Sequence, residues 1–438
     1  MRIAYVTDTY LPEINGAVTA IDSHTRELAA RGHEVLIVSP AYPAFVDEPV
    51  PRITVARYPA VSFITNKATR VALPSIVSLA QKLRRFAPDI VHIHTPLSLG
   101  VLGLAVTRML GLPNVQTYHT YIPDFMQYLE PSRILGMADL QQRITDSYVF
   151  VRMIDSGLWQ RIVRGRAFLE GVTEELFDEI LGISSEVAEE EHTELSTRVA
   201  WRFTRMLYNR ADLVLTPSTT LKRELMHHGV TVPVDYLSNG LDLSLVRPKE
   251  EWEPRGRVLH AGRLGYEKNV DVVVQAFARS AEKLPGLELH IAGDGPARET
   301  LERLAERLGV GERVRFLGFM DREALAGAYR DYDVFLTAST IETQGIVLLE
   351  AMAAGLPVLG VRALAIPEIV RNGRDGAIVP AYDVQAMAEK LVELASDSER
   401  RERLGRQCIA DVRAHDLPVV VDALEDVYRQ AIARHAAR

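Results

Sequence analysis

The chain has 438 residues, 47% hydrophobic and 25% charged, the composition of a soluble globular protein with two or three domains. A net charge of −8 excludes a global basic field for nucleic acid, and the single cysteine, Cys408, excludes an internal disulfide and a cysteine zinc site. The opening residues turn polar too soon for a signal peptide, and no stretch reaches about 18 apolar residues, so contact with a membrane is expected only at its surface.

In chain order, Arg2–Thr7 reads as a buried strand, the loop from Asp8 ends at Gly16, and a helix runs from about Ala17 to Ala30. A second strand, Glu34–Ser39, completes a βαβ unit and implies a parallel sheet. The alternation continues through strand Ile53–Ala56, helix Pro74–Phe86, strand Asp89–Ile93, helix Leu97–Leu110 and strand Val115–Tyr118. The strands are continuously apolar, as in a sheet covered on both faces.

From about Pro131 to Trp201 the rhythm breaks into charged, helical pattern, read as an inserted subdomain over residues 131–200. Its first part carries Trp159 and several arginines, and its second part is acidic. Alternation resumes with strand Leu213–Thr216, helix Ser218–His228 and strand Val234–Tyr236. The polar, proline-bearing stretch from Ser238 to Pro254 is the linker candidate.

A second series follows, with strands at Arg257–Ala261, Glu288–Ala292, Val314–Leu317, Val334–Leu336 and Pro357–Gly360, and helices between them. Helices near Val384–Ala395, Ser398–Ala414 and Val419–Ala433 close the chain. The fold class is therefore α/β, with two Rossmann-like doubly wound halves. The expected divisions are an N-terminal domain over 1–243, a C-terminal domain over 244–415, and a last helix over 416–438. Ligands in such sheets bind at the carboxyl ends of the strands, so the cleft between the halves is the expected site.

Five features sit at strand ends. Asn15-Gly16 follows the first strand, where glycine permits close approach to a ligand; an ordinary tight turn is the alternative. His119 follows the strand ending at Tyr118 and can hydrogen-bond a polar substrate or donate charge, or serve only as a structural histidine. His92 and His94 alternate along the preceding strand, consistent with core positions. These histidines have no acid or cysteine partner at ligand spacing, so no metal site is expected.

Arg263 and Lys268 put two cations on one loop, which suits a diphosphate, against the alternative of a solvated loop. Gly293-Asp294-Gly295 fails the dinucleotide fingerprint because Arg298 holds its last glycine position, which counts against a dinucleotide oxidoreductase. Finally, Glu342 and Glu350 flank Gly345 at a helix start whose free N–H groups suit a phosphate. A polar loop entering a core helix is the plain alternative.

These residues lie in motifs that resemble the retaining nucleotide-sugar glycosyltransferases of the GT-B fold, over nearly the whole chain except the insert. The motifs are TDTYLPEINGAVTAI, YHT, SNGLD, GRLGYEKN, IAGDGP and the pair Glu342/Glu350 with seven residues between them. TDTYLPEING and ETQG look most like diacylglycerol glucosyltransferases and related glycolipid enzymes.

The resemblance implies that Arg263 and Lys268 bind the donor diphosphate and stabilise its departing charge. Glu342 would hold sugar hydroxyls, and Glu350 the ribose. Amides near Gln344, Gly345 and Ile346 would reach the sugar and phosphates, with Gly293 on the same side and the base near Gly318 to Met320. His119 would touch the transferred sugar, and Gly16 would let the first loop close over the diphosphate. The last helix would cross back onto the N-terminal domain.

The implied reaction is metal-independent hexosyl transfer with retention, from a nucleotide diphosphate sugar, UDP-glucose ahead of GDP-mannose, with no further cofactor. The expected acceptor is a membrane glycerolipid. Alternatives are a soluble polyol or polysaccharide precursor, a nucleotide-sugar epimerase, and a non-catalytic binder. The expected location is cytoplasmic, peripheral on the inner membrane face. Anionic lipid would meet either the basic part of the insert or the stretch Arg57 to Arg85 with Phe63, Lys67, Arg70, Lys82, Arg84 and Arg85; a solvated face or a subunit contact is the alternative for both.

Overall fold

The structure, a computed structural model, describes residues 1–62, 70–119, 121 and 192–438. Within these the chain forms two compact units. Unit 1 comprises residues 1–217, 221–237 and 423–438, and unit 2 comprises 218–220 and 238–422.

In unit 1 the described elements run β1 (Arg2–Val6), α1 (Gly16–Ala30), β2 (Glu34–Pro40), β3 (Ile53–Tyr58), β4 (Ala60–Ser62), β5 (Arg70–Ala72), α2 (Ile76–Phe86), β6 (Ile90–Ile93) and α3 (Ser98–Met109). They continue with β7 (Asn114–Thr117), α4 (His192–Tyr208), β8 (Leu213–Thr216), α5 (Thr219–His227) and β9 (Val234–Tyr236). Seven strands form one parallel sheet in the order β3-β2-β1-β6-β7-β8-β9. Its central strands are buried on both faces: Ile3, Ala4, Tyr5 and Val6 have no exposed surface. Each large apolar side chain so buried contributes about 1.5–3 kcal/mol of transfer free energy. The Asn15 carboxamide oxygen accepts the Val18 N–H at 2.9 Å and so starts α1, while Gly32, in the left-handed region, turns the chain out of it.

Unit 2 runs β10 (Arg257–Ala261), α6 (Val270–Ala281), β11 (Glu288–Ala292), α7 (Arg298–Arg307), β12 (Val314–Gly318), α8 (Arg322–Ala328), β13 (Val334–Leu336) and α9 (Ile346–Ala353). Then come β14 (Val358–Val361), α10 (Ile366–Ile369), β15 (Gly376–Val379), α11 (Val384–Ser396), α12 (Ser398–Asp411) and α13 (Leu417–Ala436). Six strands form a parallel sheet in the order β12-β11-β10-β13-β14-β15. The first six residues of α13 belong to unit 2, and from Ala423 on the helix belongs to unit 1. There Tyr428 Oη meets Tyr5 Oη at 2.8 Å, and Glu425 takes His33 at 3.1 Å.

The sequence pattern misses the short hairpin of β4 and β5, the brief helix α10 and the edge strand β15. The expected insert lies outside the described residues up to 191, as do Phe63 and Lys67. Among the described residues no helix is long and apolar enough to cross a membrane.

Candidate active site

In each sheet the strand order reverses beside the first strand, and the loops that leave the carboxyl ends there are the natural ligand platform. In unit 2 the reversal falls between β10 and β13. The loop after β10 carries Arg263 and Lys268, and the loop after β13 carries Glu342, Gln344 and Gly345. One sheet edge thus gathers residues some 75 positions apart.

The two cations are held differently. Lys268 Nζ donates to Glu342 Oε1 at 2.6 Å, and the two side chains are 22% and 15% exposed. Arg263, at 54% exposure, pairs with Glu267 on its own loop. Asn269, left-handed at φ 50°, ends that loop and donates its side-chain amide to the Ala338 carbonyl at 3.3 Å and to Thr340 Oγ1 at 3.2 Å. This ties the β10 loop to the β13 loop.

Burial pushes the Glu342 carboxyl up, but the charge and hydrogen bond of Lys268 outweigh it and leave the acid below its ordinary value. Glu342 is therefore a carboxylate, a pure acceptor suited to sugar hydroxyls. Glu350 has the opposite balance. It is buried one turn into α9, where burial raises its pKa against the Tyr329 hydroxyl, which donates to Oε2 at 2.9 Å, and against Arg322, whose Nε lies 3.8 Å from Oε1. His260 on β10 is buried and neutral, its pKa lowered to about 4, with Nδ1 2.9 Å from the Leu336 carbonyl oxygen.

Helix α9 starts at Gly345, left-handed at φ 81° and without a side-chain cap. Its first N–H groups and positive dipole end are what a phosphate binds. The Gln344 side chain serves the scaffold: Oε1 accepts the Asn239 N–H at 2.9 Å, and Nε2 donates to Ser238 Oγ at 2.7 Å. Only the backbone of Gln344 remains for a ligand. Gly293, at φ 139°, runs so close to the β10 loop that an added Cβ would stand 1.9 Å from the Gly262 carbonyl oxygen, so its lack of a side chain is required by the protein's own backbone. Its N–H donates to the Gly318 carbonyl at 2.7 Å, joining the loops after β11 and β12.

In unit 1 the reversal lies between β1 and β6. Asp8, after β1, is fully buried across it and was not singled out by sequence. Its carboxylate accepts from Thr95 Oγ1 (2.7 Å), Leu97 N (3.0 Å), Ser98 Oγ (3.1 Å), Leu99 N (2.5 Å) and Gly100 N (3.2 Å), capping α3 from the loop after β1. Gly16 is the first residue of α1 and does not lie in the left-handed region. His119, after β7, is buried, and its Nε2 lies 2.9 Å from His94 Nδ1. Burial, with the field of His24, lowers its pKa to about 3. A neutral ring favours hydrogen bonding, to a substrate or as a structural histidine, over the donation of charge. No group of metal-ligating side chains occurs among the described residues.

Two family models match the chain: Glycosyltransferase Family 4 over residues 14–151 and Glycosyl transferases group 1 over residues 245–410. The chain belongs to the retaining nucleotide-sugar glycosyltransferases of the GT-B fold. This glycosyltransferase is 26% identical to the alpha-monoglucosyldiacylglycerol synthase of Streptococcus pneumoniae, over 91% of its own chain and 83% of that protein. It is 28% identical to the GDP-mannose-dependent alpha-mannosyltransferase of Mycolicibacterium smegmatis, over 100% of both. Among solved structures, the sucrose-phosphate synthase of Thermosynechococcus elongatus shares its fold with TM-score 0.69, 18% identity and 99% coverage of both chains. Anabaena HepE in complex with UDP-glucose shares it with TM-score 0.66, 17% identity, and coverage of 98% and 99%.

Proposed function

We propose that the enzyme moves a hexose from a nucleotide diphosphate sugar to a hydroxyl of a membrane glycerolipid, with retention at the anomeric carbon. The observation that carries the donor half is the Lys268–Glu342 pair beside the uncapped start of α9, with Arg263 on the same edge. A diphosphate entering there meets two cations and free N–H groups, and its sugar meets a fixed carboxylate.

In the proposed reaction the acceptor oxygen bonds to the anomeric carbon as that carbon's bond to the phosphate oxygen breaks. The bonding pair leaves with the nucleoside diphosphate, and the acceptor's proton passes to the leaving phosphate on the same face. Arg263 and Lys268 stabilise the charge that develops there. Glu342 orients the sugar through its hydroxyls. Glu350, whose Oε2 is taken by Tyr329, offers Oε1 to the ribose. The amides of Gln344, Gly345 and Ile346 hold phosphate and sugar, the backbone at Gly293 lies on the diphosphate side, and the base lies by Gly318. His119 hydrogen-bonds the transferred sugar, and Gly16, the first residue of α1, follows the loop that closes on the donor. In this proposal the cations that meet the leaving phosphate are Arg263 and Lys268, and no metal takes part.

Two observations support a lipid acceptor. Relatives at 25–26% identity are alpha-monoglucosyldiacylglycerol synthases. In unit 1, Val61, Leu73 and Val77 are exposed on the β4–β5 hairpin and the start of α2, whose last turn carries Arg84 and Arg85. Apolar side chains with neighbouring cations suit an anionic bilayer surface. A specific match favours a second reading, a soluble acceptor: half of the chain is 28% identical to the D-inositol 3-phosphate glycosyltransferase of Corynebacterium glutamicum.

The test offers labelled UDP-glucose and GDP-mannose with vesicles of anionic phospholipid, with and without diacylglycerol, and with free polyols. Label in the lipid phase supports the first reading, label in the polyol supports the second, and an epimerised donor with no glycoside refutes both.

A further inference from the structure

His94 follows β6 and is buried, and its role is not accounted for by the donor site. Its Nδ1 faces His119 Nε2 at 2.9 Å, while its Nε2 is buried with no hydrogen-bond partner among the described residues. The two rings are stacked at 17° with centroids 5.2 Å apart, and Tyr5 also stacks on His94, with ring centroids 4.8 Å apart. The register of the pair is therefore set by packing.

A neutral imidazole carries one N–H, so the contact has two possible forms. In one, His119 donates from Nε2 and His94 accepts at Nδ1. His94 then carries its proton on Nε2, a buried N–H with nothing to receive it. In the other, His94 donates from Nδ1, and the unpartnered atom is a lone pair. Orphaned buried N–H groups are the rarer kind. The second form is therefore favoured, and it leaves His119 protonated on Nδ1. That nitrogen has no hydrogen bond to any described residue and is not among the buried unpartnered atoms.

We propose that His94 is a positioning residue that fixes the tautomer of His119, so that His119 presents an Nδ1–H donor to an oxygen of the transferred sugar. The part concerning His94 and the tautomer rests on this geometry alone; the part concerning the sugar rests on the proposed function. Both histidines are kept neutral by burial, which excludes the doubly protonated form in which the question of tautomer would not arise. The consequence for specificity is direct. A donor N–H selects a hydroxyl or ring oxygen as its partner and gives no bond to a group that can only donate.

The experiment is ring-nitrogen NMR on protein labelled with 15N-histidine, with His119 assigned by its loss in His119→Ala. The wild type is expected to show His119 as the Nδ1–H form. His94→Asp puts an acceptor where Nδ1 donated, and should shift His119 to the Nε2–H form and lower kcat/KM for the donor sugar about tenfold. His94→Asn, of the same shape, restores an N–H near the place of Nδ1 and should recover most of both readouts. An Nε2–H form of His119 in the wild type overturns the proposal, and so does a His94→Asp protein with unchanged tautomer. If His94→Asp does not fold, the wild-type spectrum and His94→Asn still decide it. Full activity in His119→Ala would instead remove His119 from the sugar and leave the control of its tautomer standing.

Discussion

Lys268 Nζ and Glu342 Oε1, 74 positions apart in the chain, are joined by a 2.6 Å charge-assisted hydrogen bond at the carboxyl edge of the unit 2 sheet. Neither ion is fully buried, so the pair is held by geometry more than by exclusion of water. Removing one partner strands the other. Lys268→Met should cost about 2 kcal/mol of stability, less than the 3–5 kcal/mol of a fully buried pair. It should also lower kcat at least a hundredfold through loss of charge stabilisation. Denaturant unfolding and steady-state kinetics on one preparation measure both; a stable variant with normal kcat would place the diphosphate elsewhere.

Glu342→Ala and Arg263→Ala should each lose turnover by a hundredfold or more while the protein stays folded. Arg263 is more than half exposed, so its replacement should move the unfolding midpoint little. Near-normal turnover in either variant contradicts the assigned site.

The two glutamates should respond to pH in opposite senses. Glu342 has a depressed pKa, so the stability it contributes is present above the ordinary glutamate value of 4.5 and is lost as pH falls through its folded value. Glu350 has a raised pKa, so its contribution is present below 4.5 and is lost as pH rises through its folded value. Unfolding free energies of Glu342→Gln and Glu350→Gln, measured against wild type across that range, should therefore diverge with opposite slopes. Slopes of the same sign would show that one environment has been misread. For Glu350→Gln the donor KM should also rise, by about fivefold for the loss of one hydrogen bond.

Asp8→Ala should destabilise unit 1 by about 3 kcal/mol, since five donors lose their acceptor at once. Asp8→Asn keeps one acceptor oxygen and should cost less. Equal unfolding midpoints for wild type and Asp8→Ala would mean that water replaces the carboxylate without penalty.

The legible and illegible parts of this protein divide along sequence distance. Arg263, Lys268 and Glu342 could be marked because each follows a continuously apolar strand, and such strands in series imply a parallel sheet whose carboxyl edge gathers their loops. The start of α9 was legible from Gly345 and the alanine-rich run after it. Asp8 was not, because the donors that give it a role lie 87 to 92 positions away. The tie between Glu350 and Tyr329 was hidden for the same reason, 21 positions apart in different elements. Gln344 stays a candidate site residue only through its backbone, because its side chain turns to Ser238 and Asn239, a bond to a segment over 100 positions away that the sequence does not show. Strand β15 escaped because Gly376–Val379 is four residues long in a turn-rich setting, too short for its period to show.

The most direct test of the central claim follows the anomeric centre. Wild type and Glu342→Ala are incubated with α-configured UDP-glucose and with GDP-mannose, in the presence of diacylglycerol vesicles and free polyols, and the glycoside formed is read by NMR. Wild type should give an α-glycoside, with release of one nucleoside diphosphate per bond formed, and Glu342→Ala no product above background. A β-glycoside would rule out retention, and equal turnover by the two proteins would rule out Glu342 as the group that orients the sugar.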